Sequence, residues 1–285
     1  MKKSKILTLL VMVVMLIGCF VLTNTSAAVT ASSFIAAPEK TLVKGVDYEY
    51  SFAVLGDTQC ISVADAKKGT SYTEQMFNWI KNNKDEKNIQ YVLGLGDITD
   101  TYKSSGANYE TEWQIAKDCY AILDEAGIPY SLVRGNHDIS SGMNATFGWG
   151  TEYYESILAL AGATDSDGRP MGGFLGDYTD ATMSAYKIEN SYRKITAGED
   201  KWLIVTLDWA PSEAALTWLS GILETNPDYR AIITLHQFVQ KDGAIIDDPE
   251  GTLPHENIGD ANWGEVATGG TVHPRVLWEI GRAHV

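Results

Sequence analysis

Cysteine and basic residues are both scarce in this chain, and each scarcity excludes a class of function. Only three of the 285 residues are Cys and eight are Pro. Beyond the N-terminal segment Cys60 and Cys119 remain, enough for one disulfide at most and in no zinc-finger spacing. Both are expected to be buried as small hydrophobes. Lys and Arg number 22 against 37 Asp and Glu, a formal net charge of −15. So acidic a surface repels phosphate backbones, which argues against nucleic acid as a partner. Internal repeats and low-complexity tracts are lacking too. What remains is a chain 45% hydrophobic and 21% charged, long enough for one large or two small domains around a sizeable core.

The long apolar run lies at the start. Lys2, Lys3 and Lys5 precede the almost wholly apolar stretch from Ile6 to Leu22, and Ser26-Ala27-Ala28 has the small residues of a cleavage site, so residues 1–28 read as a signal peptide. Leu16-Ile17-Gly18-Cys19 also has the form of a bacterial lipobox, which would lipidate Cys19, and an uncleaved membrane helix is a third reading. All three place the folded part outside the cytoplasm, secreted or at the cell surface, with the membrane involved only through this segment. Residues 29–47 read as a leader, and the domain is expected over 48–285.

From Tyr50 a rhythm of strand and helix begins. Tyr50–Leu55, Gln90–Leu95 and Pro129–Val133 are strand candidates ending at Gly56-Asp57, Gly96-Asp97 and Gly135-Asn136; helices are expected over Tyr72–Asn83 and Glu110–Ala126, the latter closed by Gly127. The stretch from His137 to Asp180 reads as a surface insertion around one helix at Glu152–Ala161. Met183–Ile188, Trp202–Leu207 and Arg230–Leu235 are further strands, and Ser212 caps a helix running to about Thr225. The alternation predicts an α/β domain with mostly parallel core strands.

The chemistry-bearing residues sit where strands stop. Asp57 and Gln59, Asp97 and Asp100, Asn136 with His137 and Asp138, and His236 each follow an apolar run. In an open parallel sheet such ends share one edge, where these folds place their sites. One Gly-Asp after a strand is ordinary turn chemistry; four converging ends are not. Carboxylate, amide oxygen and imidazole without thiolate suit a hard-to-borderline divalent metal, and a carboxylate can bridge two. The set suits a two-metal site acting on a phosphorus centre.

Asp57-Thr58-Gln59, Gly96-Asp97-Ile98-Thr99-Asp100, Gly135-Asn136-His137-Asp138 and Leu235-His236 together resemble the calcineurin-like metallophosphoesterases, whose pattern is DxH, GDxxD, GNH(D/E), a lone His and finally GHxH. The resemblance runs from about Tyr50 to Leu235. It implies a two-sheet β-sandwich flanked by helices, with two metal ions (Mn, Fe or Zn) at its rim and a metal-bound hydroxide attacking a phosphate mono- or diester of a small substrate. On that reading Asp57 binds the first metal, with Gln59 as a weaker ligand in place of the usual His. Asp97 bridges, and Asn136 and His236 bind the second metal. His137 is the proton donor or transition-state stabiliser, Asp100 orients its imidazole, and Asp138 supports. Arg134 reads either as a phosphate contact or as an outward-pointing strand residue. Phe147, Trp149, Tyr153, Tyr154 and Trp209 are pocket or core aromatics.

No GHxH follows His236; His255, His273 and His284 sit in loops that no apolar strand precedes. Glu279–Val285 resembles a translated sequencing adapter, in which case the domain is incomplete at its C-terminus. The expectation is a secreted or surface-anchored phosphoesterase. The alternative is a non-catalytic binding module on the same scaffold, favoured by Gln59 and the missing motif and opposed by the intact Asp100–His137 pair.

Overall fold

A computed structural model of the chain describes residues 48–101, 108–141, 149–175, 189–209, 211–238 and 277–280, all within the compact unit that runs from Tyr48 to Val285. The expected strand Met183–Ile188, Phe147, and His255, His273 and His284 lie outside the described residues, as do the segments expected to form the signal peptide and the leader.

The first sheet is parallel, in the order β1 (Ser51–Leu55), β2 (Ile89–Gly94), β3 (Tyr130–Leu132). Its connections are helical: α1 (Gln59–Lys68) and α2 (Tyr72–Asn82) after β1, α3 (Tyr109–Glu125) after β2, and α4 (Asn136–Ser141) with α5 (Trp149–Gly162) after β3. The second sheet, β4 (Gly172–Phe174), β5 (Ser191–Ala197), β6 (Asp200–Thr206) and β7 (Arg230–Thr234), is mixed. Its first three strands are antiparallel and only β6–β7 is parallel, with α6 (Glu213–Glu224) between them.

Strand alternation stacks the two sheets face to face. In β2, Val92 points into the core beneath the helices, while Tyr91 and Leu93 pack with Ile204 of β6. In β6, Leu203 and Val205 turn the other way, onto Leu216 and Leu219 of α6. Phe52 of β1 meets Trp202 of β6 edge to face, ring centroids 5.4 Å apart. On the helical side Trp113, Ala116, Tyr120 and Leu123 make the buried stripe of α3. The result is the two-sheet sandwich flanked by helices that the motifs imply, with the parallel strands concentrated in the first sheet.

Several elements differ from expectation. Helix α1 buries only Ser62 and Asp65, so it has no apolar stripe to read; Thr58 and Ser62 hydroxyls donating to the Ile98 carbonyl hold it instead. Strand β5 carries Arg193 and Lys194 in its middle, both buried, which hides its alternation. The supposed surface insertion supplies core: Tyr153 and Ile157 of α5 and Phe174 of β4 join the main cluster. Cys119 is buried as expected, but Cys60 is exposed because α1 turns it to solvent. Ser212 does cap α6, its hydroxyl accepting from the Ala215 N–H at 3.2 Å.

Candidate metal centre

The loops that leave β1, β2, β3 and β7 meet at Asp97. This residue is almost fully buried and sits at φ +46°, after Gly96 at φ +90°. A β-carbon at position 96 would come within 2.9 Å of the Gly135 nitrogen and 3.0 Å of His236 Nδ1, so only glycine lets the loops after β3 and β7 close on the turn. Asp97 Oδ1 accepts from the His137 backbone N–H at 3.0 Å, and its carbonyl accepts from the Thr58 N–H at 3.1 Å. Asp97 Oδ2 accepts from Gln59 Nε2 at 3.2 Å and lies 3.2 Å from His236 Nε2. Three strand ends thus reach one carboxylate through side chains or backbone N–H groups.

Gln59, the first residue of α1, spans the two acidic loops. Its amide nitrogen is 3.2 Å from Asp57 Oδ2 as well as from Asp97 Oδ2, and its backbone N–H lies 3.3 Å from Asp57 Oδ1. Its side-chain oxygen Oε1 is buried and has no hydrogen-bond partner. An orphaned oxygen of this kind costs about 1–3 kcal/mol. Removal from water and, second, the charge of Asp97 raise the pKa of Asp57. Burial alone would depress the His236 imidazole, but the hydrogen bond and charge of Asp97 override it and lift His236 to about 9. The Leu95 carbonyl, 2.8 Å from His236 Nδ1, keeps the proton on that nitrogen and leaves Nε2 facing Asp97.

Among the described residues no three His, Cys, Asp or Glu side chains stand close enough to hold a metal ion by themselves. The donor set here includes amides. Asp57, Asp97 and His236 are joined by Gln59, and Asn136, half-buried at the start of α4, follows Gly135 in the loop that touches Asp97. Crowded carboxylates, an imidazole aimed at them and an unpaired amide oxygen fit a cation.

His137 stands at the edge of this group with its side chain 24% exposed. Its Nδ1 is 3.2 Å from the Asp100 carbonyl oxygen and 3.4 Å from Asp100 Oδ1. Both partners are acceptors, so Nδ1 carries the proton toward Asp100. Asp138 plays another part. Fully buried, its carboxylate accepts from the N–H groups of Ile98 (2.9 Å), Thr99 (3.1 Å) and Gly135 (2.8 Å) and binds the β2 and β3 loops together. Burial and the Asp97 charge push its pKa upward.

Arg134 is not an outward-pointing strand residue: it lies past the end of β3 and its side chain is mostly buried. Its guanidinium grips Asp208 at 3.0 and 2.6 Å, with Glu189 at 3.9 Å, in a part-buried cluster that fixes the residue before Gly135. Tyr153 and Trp209 are buried, not pocket-lining at this centre. Sequence reasoning missed Glu112. Fully buried in the first turn of α3, it accepts from the N–H groups of Asp100 (2.8 Å) and Thr101 (3.1 Å) and from the Thr101 hydroxyl. An acid in a first helical turn is commonplace, so nothing in the sequence marks this one.

A family model for calcineurin-like phosphoesterases matches residues 50–239. Among curated proteins the chain is similar to the uncharacterized protein YvnB of Bacillus subtilis (strain 168), 24% identical over 198 residues. That alignment covers 68% of this chain but 13% of YvnB, so the chain spans a small part of its relative's length. Among solved structures it is similar to a dimetal phosphatase from Danio rerio, at 14% identity and TM-score 0.42 over 68% of this chain and 71% of that one. A 5'-nucleotidase precursor from Thermus thermophilus is similar at 11% identity and TM-score 0.38, over 68% and 38%.

Proposed function

Because the chain belongs to the calcineurin-like phosphoesterase family, we propose that it is a metal-dependent hydrolase of small phosphate mono- or diesters, working outside the cytoplasm. The observation that carries the reading is the convergence of Gln59 and His236 on one oxygen of Asp97, beside Asp57 and an unpaired amide oxygen. Asp57, Gln59, Asp97, Asn136 and His236 would hold two ions, of Mn, Fe or Zn. Bound there, the ions supply positive charge that acidifies a water and offsets the charge of the phosphoryl oxygens.

The protein's own groups do the rest. His236, its tautomer set by Leu95, presents Nε2 as a donor atom. His137 gives a proton from its imidazole to the leaving oxygen, and Asp100 beside Nδ1 orients the ring. Partial exposure of His137 leaves its ring within reach of a substrate. The N-terminal segment supports secretion or surface anchoring.

The test is hydrolysis of p-nitrophenyl phosphate and bis-p-nitrophenyl phosphate with and without EDTA, alongside metal analysis. Activity that disappears on chelation and returns with added Mn or Zn is expected, and the faster substrate assigns mono- or diester preference. Absence of metal with activity unchanged in EDTA contradicts the proposal.

A further inference from the structure

Asn136 and His236 come to the metal centre from different sheets, Asn136 past the end of β3 and His236 past the end of β7. Their separation therefore depends on how the two sheets are held at this rim. The loop after β6 spans the gap. On one side Asp208 accepts from both arms of the Arg134 guanidinium, Nε at 3.0 Å and Nη2 at 2.6 Å. Arg134 is separated from Asn136 by Gly135 alone. On the other side the indole Nε1–H of Trp209 donates to Gln237 Oε1 at 2.9 Å, and Gln237 is the residue after His236. Asp208 and Trp209 are consecutive and tied a second time, since the Trp209 backbone N–H donates to Asp208 Oδ1 at 2.8 Å.

These contacts are stiff. Two parallel N–H···O bonds hold a guanidinium and a carboxylate in one plane, and an indole carries one donor and no acceptor, so its direction fixes which end of the Gln237 amide it meets. Asp208 and Trp209 are both buried, which strengthens the bonds they make. A metal ligand has to be kept within about 0.5 Å of its productive position by groups that are themselves locked in place. Here the lock runs from Arg134 through Asp208 and Trp209 to Gln237, and each end is within two residues of a ligand. We propose, on the two-ion reading above, that Asp208 and Trp209 are positioning residues that brace Asn136 against His236 and thereby set the affinity of the ion these two hold.

The test is titration of the whole chain with Zn²⁺ by calorimetry, with the unfolding midpoint of the metal-free protein measured alongside. His236→Ala identifies the binding step that belongs to the second ion. Trp209→Phe keeps a ring and loses the N–H; Arg134→Lys keeps the charge and loses the fork. Each is expected to weaken the His236-dependent step by roughly 2–10-fold, the worth of one hydrogen bond, and to leave the other step unchanged. Combined, the two should weaken it by less than the product of their separate effects, because both break one brace. Both steps unchanged, or both weakened equally, makes these contacts a prop of the fold and overturns the inference while the metal centre stands. A parent chain that takes up no Zn²⁺ overturns the metal centre and the brace with it. Should the variants fail to fold, the indole N–H resonance of Trp209 in the parent chain decides: it is expected to move as the second step fills, and an unmoved resonance overturns the proposal.

Discussion

A β-carbon on Gly135 would stand 2.1 Å from Asp97 Oδ1 and 2.3 Å from the Asp97 nitrogen. The loop after β3 therefore rests directly on the carboxylate at the middle of the site, and any side chain at 135 collides with both. Because one obstacle is backbone, the collision cannot be relieved by a rotamer change. Gly135→Ala is expected to destabilise the chain by roughly 1–3 kcal/mol or more and to lower its metal content, measured by thermal unfolding and elemental analysis.

Glu112 acts on the site at one remove, by holding the backbone of Asp100, which in turn holds His137. Glu112→Ala removes the one oxygen that accepts from both N–H groups, at a cost of about 1–3 kcal/mol. Turnover should fall while metal content stays, because the Asp100 backbone that holds His137 loses its anchor. Both are read from steady-state rates with elemental analysis in parallel.

Asp65 gives a pH-dependent prediction away from the site. Burial alone would raise its pKa, but hydrogen bonds from Thr70, Thr73 and Tyr72 override it and hold the carboxyl below the usual range. A depressed carboxylate contributes stability that is complete above its unfolded pKa of about 3.9 and lost as pH falls toward the folded value. Asp65→Asn should therefore cost about 1–3 kcal/mol at neutral pH, and the gap to the parent chain should close below about pH 4. Unfolding midpoints at the two pH values check it.

The strand ends were legible because β1, β2 and β3 are apolar runs that stop at Gly56-Asp57, Gly96-Asp97 and Gly135-Asn136, and glycine-acid pairs after such runs mark turns. What the sequence hid is mostly polar and buried. Arg193 and Lys194 disguise β5, Ser62 and Asp65 disguise α1, and Glu112 looks like any first-turn acid. Arg134 was ambiguous for the same reason: its partners, Asp208 and Glu189, are 74 and 55 residues further along the chain, and only tertiary folding joins them. Hydrophobic periodicity reports which residues leave water, not which polar groups find each other inside.

The central claim is that one carboxylate organises the metal centre and a separate imidazole handles the proton. Metal content and phosphoester turnover of Asp97→Ala and His137→Ala, measured side by side with the parent chain, test it most directly. The account predicts that Asp97→Ala loses both metal and activity, whereas His137→Ala retains metal and slows by roughly 10²–10⁴-fold. Metal retained in Asp97→Ala, or equal metal loss in the two variants, contradicts it.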